Sequence, residues 1–113
     1  MILLQLARQA LVDGVHGKPI LKLKIEDYSP RLRENGASFV TLTERSSLRG
    51  CIGALEAYQP LVEDVREHAI AAALHDYRFP PVNNEELPAI MIEISCLTTA
   101  QRYEYSQPEE LLC

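Results

Sequence analysis

Leu3, Leu6, Ala7, Ala10 and Leu11 recur at three- and four-residue intervals, with Gln5, Arg8, Gln9 and Asp13 elsewhere on the circumference. That spacing predicts an amphipathic helix over residues 2–13. Gly14, Gly17 and Pro19 end it. Ile20 to Ile25 alternates imperfectly, a pattern shared by a half-buried strand and an extended connector. Ser29, Pro30 and Gly36 then stand in the order of cap, first helical position and stop, which predicts a single helical turn between them.

Ala37 to Thr43 is rich in β-branched and aromatic residues and reads as a strand. Glu44-Arg45-Ser46-Ser47 is polar and short enough to turn the chain, so Leu48 to Leu55 is expected to return antiparallel beside it. If Glu44 faces Ser47, Leu42 opposes Arg49 and Val40 opposes Cys51, with all four side chains on one face. Pro60 opens the strongest helix, running to about His75. Leu61, Val65, Ala69, Ala72 and Ala73 share its apolar side, and Asp64, Glu67, His68, Ala71 and His75 share the side read as solvated. Glu85 to Pro88 is a turn or short helical stop. Ala89 to Leu97 alternates as the clearest strand, with Ile90, Ile92, Ile94 and Cys96 toward the core and Met91, Glu93, Ser95 and Leu97 on the other face. Pro108 to Cys113 resembles the start of a helix, its acidic residues placed where the helix dipole favours them.

Composition narrows the picture. A chain of 113 residues has room for one domain, and 47% apolar with 24% charged residues is ordinary for a soluble globular protein. A net charge of −5 argues against a broad nucleic-acid footprint, leaving only a local basic pocket around Arg45 and Arg49. Cys51, Cys96 and Cys113 are an odd number without CxxC spacing, so neither a disulfide framework nor a zinc cluster is indicated, and a reducing, cytoplasmic setting fits. The first eight residues lack a basic leader region, and no apolar run is long enough to cross a bilayer. Phosphate-loop and dinucleotide fingerprints are absent, and no Ser-His-Asp arrangement can be assembled from spacing alone.

The stretch with the most chemistry is Ser47-Leu48-Arg49-Gly50-Cys51-Ile52-Gly53-Ala54. On the one-to-one register Arg49 and Cys51 are same-face neighbours, about 7 Å apart, and a guanidinium so placed favours a thiolate. Gly50 and Gly53 suit a bulge, a sharp twist, or close approach of a ligand or another backbone. Three roles are open to Cys51: a small buried hydrophobe, part of a ligand pocket, or a nucleophile. Asp76 and Arg78 precede Phe79-Pro80-Pro81, a stiff segment. The two charges pair locally, or Arg78 reaches a carboxylate such as Glu93, or Arg78 projects toward an anion. Glu93 is a candidate acid or base if it faces the motif strand. Asp64, His68 and His75 share a helix face at i, i+4 and i+11, but without an HExxH pattern or a nearby cysteine a metal site is not expected. His16 sits in a glycine-flanked loop and reads as surface.

Taken together, Leu3 to Arg8, Phe39-Val40-Thr41-Leu42, Leu48-Arg49-Gly50-Cys51-Ile52-Gly53, Asp76-x-Arg78-Phe79-Pro80-Pro81, Glu85-Glu86-Leu87-Pro88 and Ile92-Glu93-Ile94-Ser95 resemble the AMME chromosomal region candidate family, whose microbial members are called AmmeMemoRadiSam system protein A. The resemblance covers nearly the whole chain and implies an α+β domain built on an antiparallel sheet flanked by helices, with the motif strand lining a cleft. On the residues themselves, Cys51 and Glu93 are the catalytic candidates and Arg49, Gly50, Gly53, Asp76 and Arg78 the substrate-binding candidates, with no cofactor expected. The resemblance also implies a modification pathway, of RNA or a small metabolite, shared with a dioxygenase-like protein and a radical SAM enzyme. A non-catalytic binding or scaffold module for a partner protein or RNA is the alternative. Family domains continue for roughly half this length again, so the expectation is a fragment, or a shortened protein that covers its open edge as a homo-oligomer.

Overall fold

Three alternating runs make the centre of the molecule. The computed structural model describes residues 2–19, 23–97 and 102–106, and it places β1 at Ala37–Glu44, β2 at Ser47–Gly53, β3 at Ile90–Leu97 and β4 at Arg102–Ser106. They form one antiparallel sheet in the order β2-β1-β3-β4. Ser38, Val40 and Leu42 of β1 and Ile90, Ile92, Ile94 and Cys96 of β3 are buried on one face. The intervening residues of β1 and β3 are not, as expected of a sheet covered on one side.

The cover is helical. α1, Ile2–Val15, buries Leu3, Leu4, Ala7, Ala10 and Leu11, close to the stripe expected for residues 2–13. α2, Pro30–Arg33, is the single turn expected after Ser29. α3, Leu61–Leu74, comes directly after Pro60 and packs against α1, β1 and β2. Small residues at Ala69, Ala72 and Ala73 let α3 come close to the sheet. Leu3, Leu11, Val40, Leu42, Val62, Val65, Ile92 and Ile94 meet in the resulting core. A 3₁₀ segment over Asn84–Ala89 leads into β3, its start closed by reciprocal hydrogen bonds between Asn83 and Glu86. Arg8 of α1 reaches back to it, donating from Nη2 to the Ile90 carbonyl at 2.6 Å.

Several expectations change. β4 has no counterpart among the elements predicted from the sequence. The first part of the Ile20–Ile25 run, and the helix expected from Pro108, lie outside the described residues. Lys24 has no regular structure and Ile25–Asp27 is a 3₁₀ turn, so no strand forms there among the described residues. The largest correction is to the polar side of α3, because Asp64 and His68 are not solvated. They are 0% and 6% exposed and face β1. Ser38 Oγ donates to Asp64 Oδ2 at 2.7 Å, Gln59 Nε2 donates to Asp64 Oδ1 at 2.9 Å, and His68 Nδ1 lies 3.1 Å from Asp64 Oδ2. Burial alone would push the Asp64 carboxyl up; hydrogen bonds from His68, Gln59 and Ser38 outweigh it and hold the group below its ordinary value. A Ser, a His and an Asp do meet, but in a sealed cluster where the serine bonds the carboxylate directly, which is a structural tie between α3 and β1 and not a nucleophile with its base. Helix periodicity cannot distinguish a polar residue in such a tie from a wet one. Among the described residues no group of three or more His, Cys, Asp or Glu side chains could hold a metal, and no helix is long and apolar enough to cross a membrane.

Two consequences are measurable. Gly50 lies against α3, where an added Cβ would overlap the Ala72 carbonyl oxygen. Gly50→Ala is expected to destabilise the fold by about 3 kcal/mol or more, read from urea unfolding, since two backbones must separate to admit the methyl. Asp64→Ala strands Ser38, His68 and Gln59 and is expected to cost about 3 kcal/mol at neutral pH. Because the folded Asp64 value is depressed, its contribution is present above the unfolded carboxylate pKa and disappears as pH falls through the lower folded one. The gap between wild type and variant should therefore narrow as pH falls below about 4, and a gap unchanged down to pH 2 would remove this account.

Candidate functional site

The hairpin holds the site, and its register is not one-to-one. Arg45 and Ser46 form the turn, both with positive φ, 51° and 70°. Such a two-residue turn matches the right-handed twist of the flanking strands, at some strain in residues that are neither Gly nor Asn. Glu44 faces Ser47 and Thr43 faces Leu48, but Leu42 faces Gly50, so Arg49 is an extra residue. Beyond this bulge every pair shifts by one. Thr41, not Val40, stands opposite Cys51. The expected pairing of Arg49 with Cys51 on one face is thereby overturned.

Arg49 turns instead to the 80–86 segment. Its Nε and Nη2 donate to the two Glu86 carboxylate oxygens at 2.8 and 2.9 Å. Nη1 donates to the Pro80 carbonyl at 2.8 Å and Nη2 also to that of Pro81 at 3.3 Å. Glu44 approaches to 3.8 Å. The forked bond to Glu86 raises the arginine, and Arg49 together with the Asn83 N–H draws the Glu86 carboxyl down to about 2. Every nitrogen of this guanidinium is engaged, so in this structure Arg49 ties down a loop whose prolines cannot bind the sheet edge through their own nitrogens.

Cys51 is held from both sides of its backbone. β2 is an edge strand, and at Cys51 its N–H and C=O point outward. The N–H donates to Asp76 Oδ2 at 3.0 Å and the carbonyl accepts from Arg78 Nη2 at 3.2 Å. Asp76 and Arg78 are themselves joined, Nη2 to Oδ2 at 2.7 Å and Nε to Oδ1 at 3.0 Å. These bonds, Arg78 first and the Cys51 N–H second, hold the Asp76 carboxyl well below the usual carboxylate range. The local pairing open to these two residues from sequence is therefore present, but it closes around the motif strand. Arg78 stacks on Phe79, 5.5 Å from ring centre to guanidinium carbon. Its side chain is 46% exposed. Asp76 raises the Arg78 value most. The cation bonded at the motif cysteine, through its backbone carbonyl, is thus Arg78.

The sulfur lies on the sheet face away from the helices, partly exposed, with Thr41 Oγ1 at 3.3 Å. Glu93 pairs with Thr41 on its other side, so Cys51, Thr41 and Glu93 form one cross-strand row. Two strand spacings separate Cys51 from Glu93, on the order of 10 Å between backbones, which is too far for a direct proton transfer. The space beside the two glycines is taken, at Gly50 by the Ala72 carbonyl and at Gly53 by the Phe39 ring. Sequence reasoning does not single out Thr41 or Glu86; both emerge once the bulge is known. His16 is exposed and bonds Asn84 at 2.6 Å. A shallow hollow of about 330 Å³ on the outer side of α3 is lined by Glu63, Arg66, Glu67, Ile70, Ala71 and His75.

With this geometry established, comparison with known proteins is informative. The AMMECR1 family model matches residues 4–112. A protein of Methanothermobacter thermautotrophicus is 40% identical over 108 residues, which is 96% of this chain and 56% of that protein. Protein MK0488 of Methanopyrus kandleri is 44% identical over 114 residues, covering 96% of this chain and 53% of its own length. The crystal structure of uncharacterized protein PH0010 from Pyrococcus horikoshii superposes with a TM-score of 0.77 at 41% identity, over 86% of this chain and 50% of that one. The chain thus spans about half the length of the relatives it matches. On the family match and these identities, it belongs to the AMMECR1 family.

Proposed function

We propose that this domain carries a cysteine-centred site on the face of its sheet away from the helices, in which Cys51 attacks or contacts a small electrophilic or anionic substrate. The observation that carries the reading is the double clamp on Cys51: its N–H and C=O are both fixed by the Asp76–Arg78 pair, while its sulfur stays partly exposed beside the Thr41 hydroxyl. The two backbone bonds protect the sheet edge whatever residue stands there; with a thiol at that position they also set the angle at which it meets a substrate, where misplacement by an ångström is costly in rate. In this reading Arg78 supplies positive charge near the sulfur and Thr41 a hydroxyl that can donate to it. Asp76 positions both. Glu93 acts on a substrate lying along the row, since it cannot reach the sulfur itself. Action beside a dioxygenase-like and a radical SAM enzyme belongs to the same proposal, as does completion of the site by further chain or by a second copy.

Alkylation by iodoacetamide, with mass analysis of the Cys51 peptide, tests it. In the folded chain at neutral pH Cys51 is expected to react faster than the same residue in urea, and Arg78→Gln is expected to slow it by about threefold or more through loss of the neighbouring charge. A Cys51 that reacts only when the chain unfolds ends the nucleophile reading. Arg49→Gln should behave oppositely. It is expected to leave the alkylation rate within about twofold of wild type while lowering stability by about 1–3 kcal/mol, because Glu86 loses its forked partner. If Arg49→Gln slows the thiol as much as Arg78→Gln, the assignment of the two arginines is reversed.

A further inference from the structure

Two neighbouring side chains of the Asp76–Phe79 turn, which bonds the strand carrying the thiol, keep surface exposed to solvent. Tyr77 is 94% exposed, so its ring adds almost nothing to the core. Its backbone is nevertheless fixed: the Phe79 N–H donates to the Asp76 carbonyl at 3.0 Å and the Arg78 N–H to Asp76 Oδ1 at 3.1 Å, closing a turn around it. Pro80 and Pro81 stiffen the chain on the C-terminal side of that turn. A tyrosine has only two side-chain torsions, so settling its ring on a ligand costs little entropy.

Arg78 is oriented in a similar way. Its Nε and Nη2 are taken by Asp76 and the Cys51 carbonyl, but Nη1 makes no hydrogen bond among the described residues. The guanidinium therefore has one free donor edge that cannot sweep about. Tyr77 directly precedes Arg78 in the same turn. Asp76, at 2.7 Å, offsets part of the arginine charge, so a bare anion gains little there and needs a second contact to be held.

We propose that the Asp76–Phe79 turn is the recognition element of this site, and that it takes small molecules carrying both a planar ring and an anionic group, the ring stacked on Tyr77 and the anion on Arg78 Nη1. This rests on reading the surroundings of Cys51 as a ligand site, and it adds the class of ligand. Position 77 then sets selectivity without touching the clamp, since none of the clamp's bonds uses the tyrosine side chain.

Binding of phenyl phosphate, cyclohexyl phosphate, inorganic phosphate and phenol, each titrated by calorimetry and by NMR of the Tyr77 ring, tests the proposal in wild type and in Cys51→Ser. Phenyl phosphate is expected to bind about three- to tenfold more tightly than cyclohexyl phosphate or inorganic phosphate, the range that one aromatic stack supplies. Tyr77→Ala, a surface change that leaves the fold intact, should bring it down to the inorganic phosphate level, and Tyr77→Phe should preserve it. Arg78→Gln should abolish binding of all three phosphates, with Arg78→Lys as the variant that keeps a charge if the glutamine disturbs the edge. Equal binding of the two esters, binding indifferent to Tyr77→Ala, or no binding overturns the inference. If Cys51 alkylates rapidly while ring selectivity is absent, only this inference fails; ring-selective binding with an inert thiol instead removes the nucleophile and leaves the recognition element standing.

Discussion

An exposed sheet edge is a row of backbone donors and acceptors with nothing to bind, and the arrangement of this domain depends on how that edge is covered at β2. The 76–86 segment lies along it as a strap, fastened at two points. At one, Asp76 and Arg78 take the place of a neighbouring strand, accepting from the Cys51 N–H and donating to its carbonyl. At the other, Arg49 leaves the strand through the bulge and gathers the Pro80 and Pro81 carbonyls and the Glu86 carboxylate. Two prolines suit a strap because they resist becoming a fifth strand. The same bonds that prevent unwanted pairing also fix the cysteine backbone, so edge protection and thiol placement are one structural device.

The division of labour between the two arginines is set by geometry alone. Arg49 is spent on the protein: all three of its nitrogens are bonded, and its partner carboxylate is held ionised by it. Arg78 keeps one nitrogen available and nearly half its side chain in solvent. A single-residue insertion decides which is which. Without the bulge, Arg49 would share a face with Cys51 and the strap would lose one of its fastenings.

The elements that make the core were legible in the sequence because each buries one stripe or one face, and burial imposes a period. Val40, Leu42, Ile90, Ile92 and Ile94 can be assigned to the core from alternation, and Leu3, Ala7 and Leu11 from helical spacing. The site was legible only as a set of residues. A bulge leaves no mark on periodicity, so alternation identifies Arg49 and Cys51 yet misplaces one relative to the other. Gly50 carried a hint, since bulges and close approaches both call for glycine, and both occur there. Asp64 and His68 failed for a different reason: their partners, Ser38 and Gln59, come from elements 26 and 5 residues distant from Asp64, and no local pattern reports a long-range polar tie.

That tie has a bearing on the site as well as on stability. The N-terminal half of α3 is fixed to β1 through Asp64 and Ser38, and its later turns rest on β2 where the Ala72 carbonyl meets Gly50. The Val82 N–H then donates to the Ala73 carbonyl at 2.8 Å, returning the strap to the helix end. Asp76 stands two residues beyond α3, so its position is set by the register of the helix on the sheet. A helix slipped by even one turn, about 5.4 Å, would carry the Asp76 carboxylate out of reach of the Cys51 N–H. The buried polar cluster thus does for the thiol what hydrophobic packing alone could not: apolar contacts tolerate sliding, whereas the hydrogen bonds from Ser38 of β1 to buried Asp64 and His68 of α3 allow a single register.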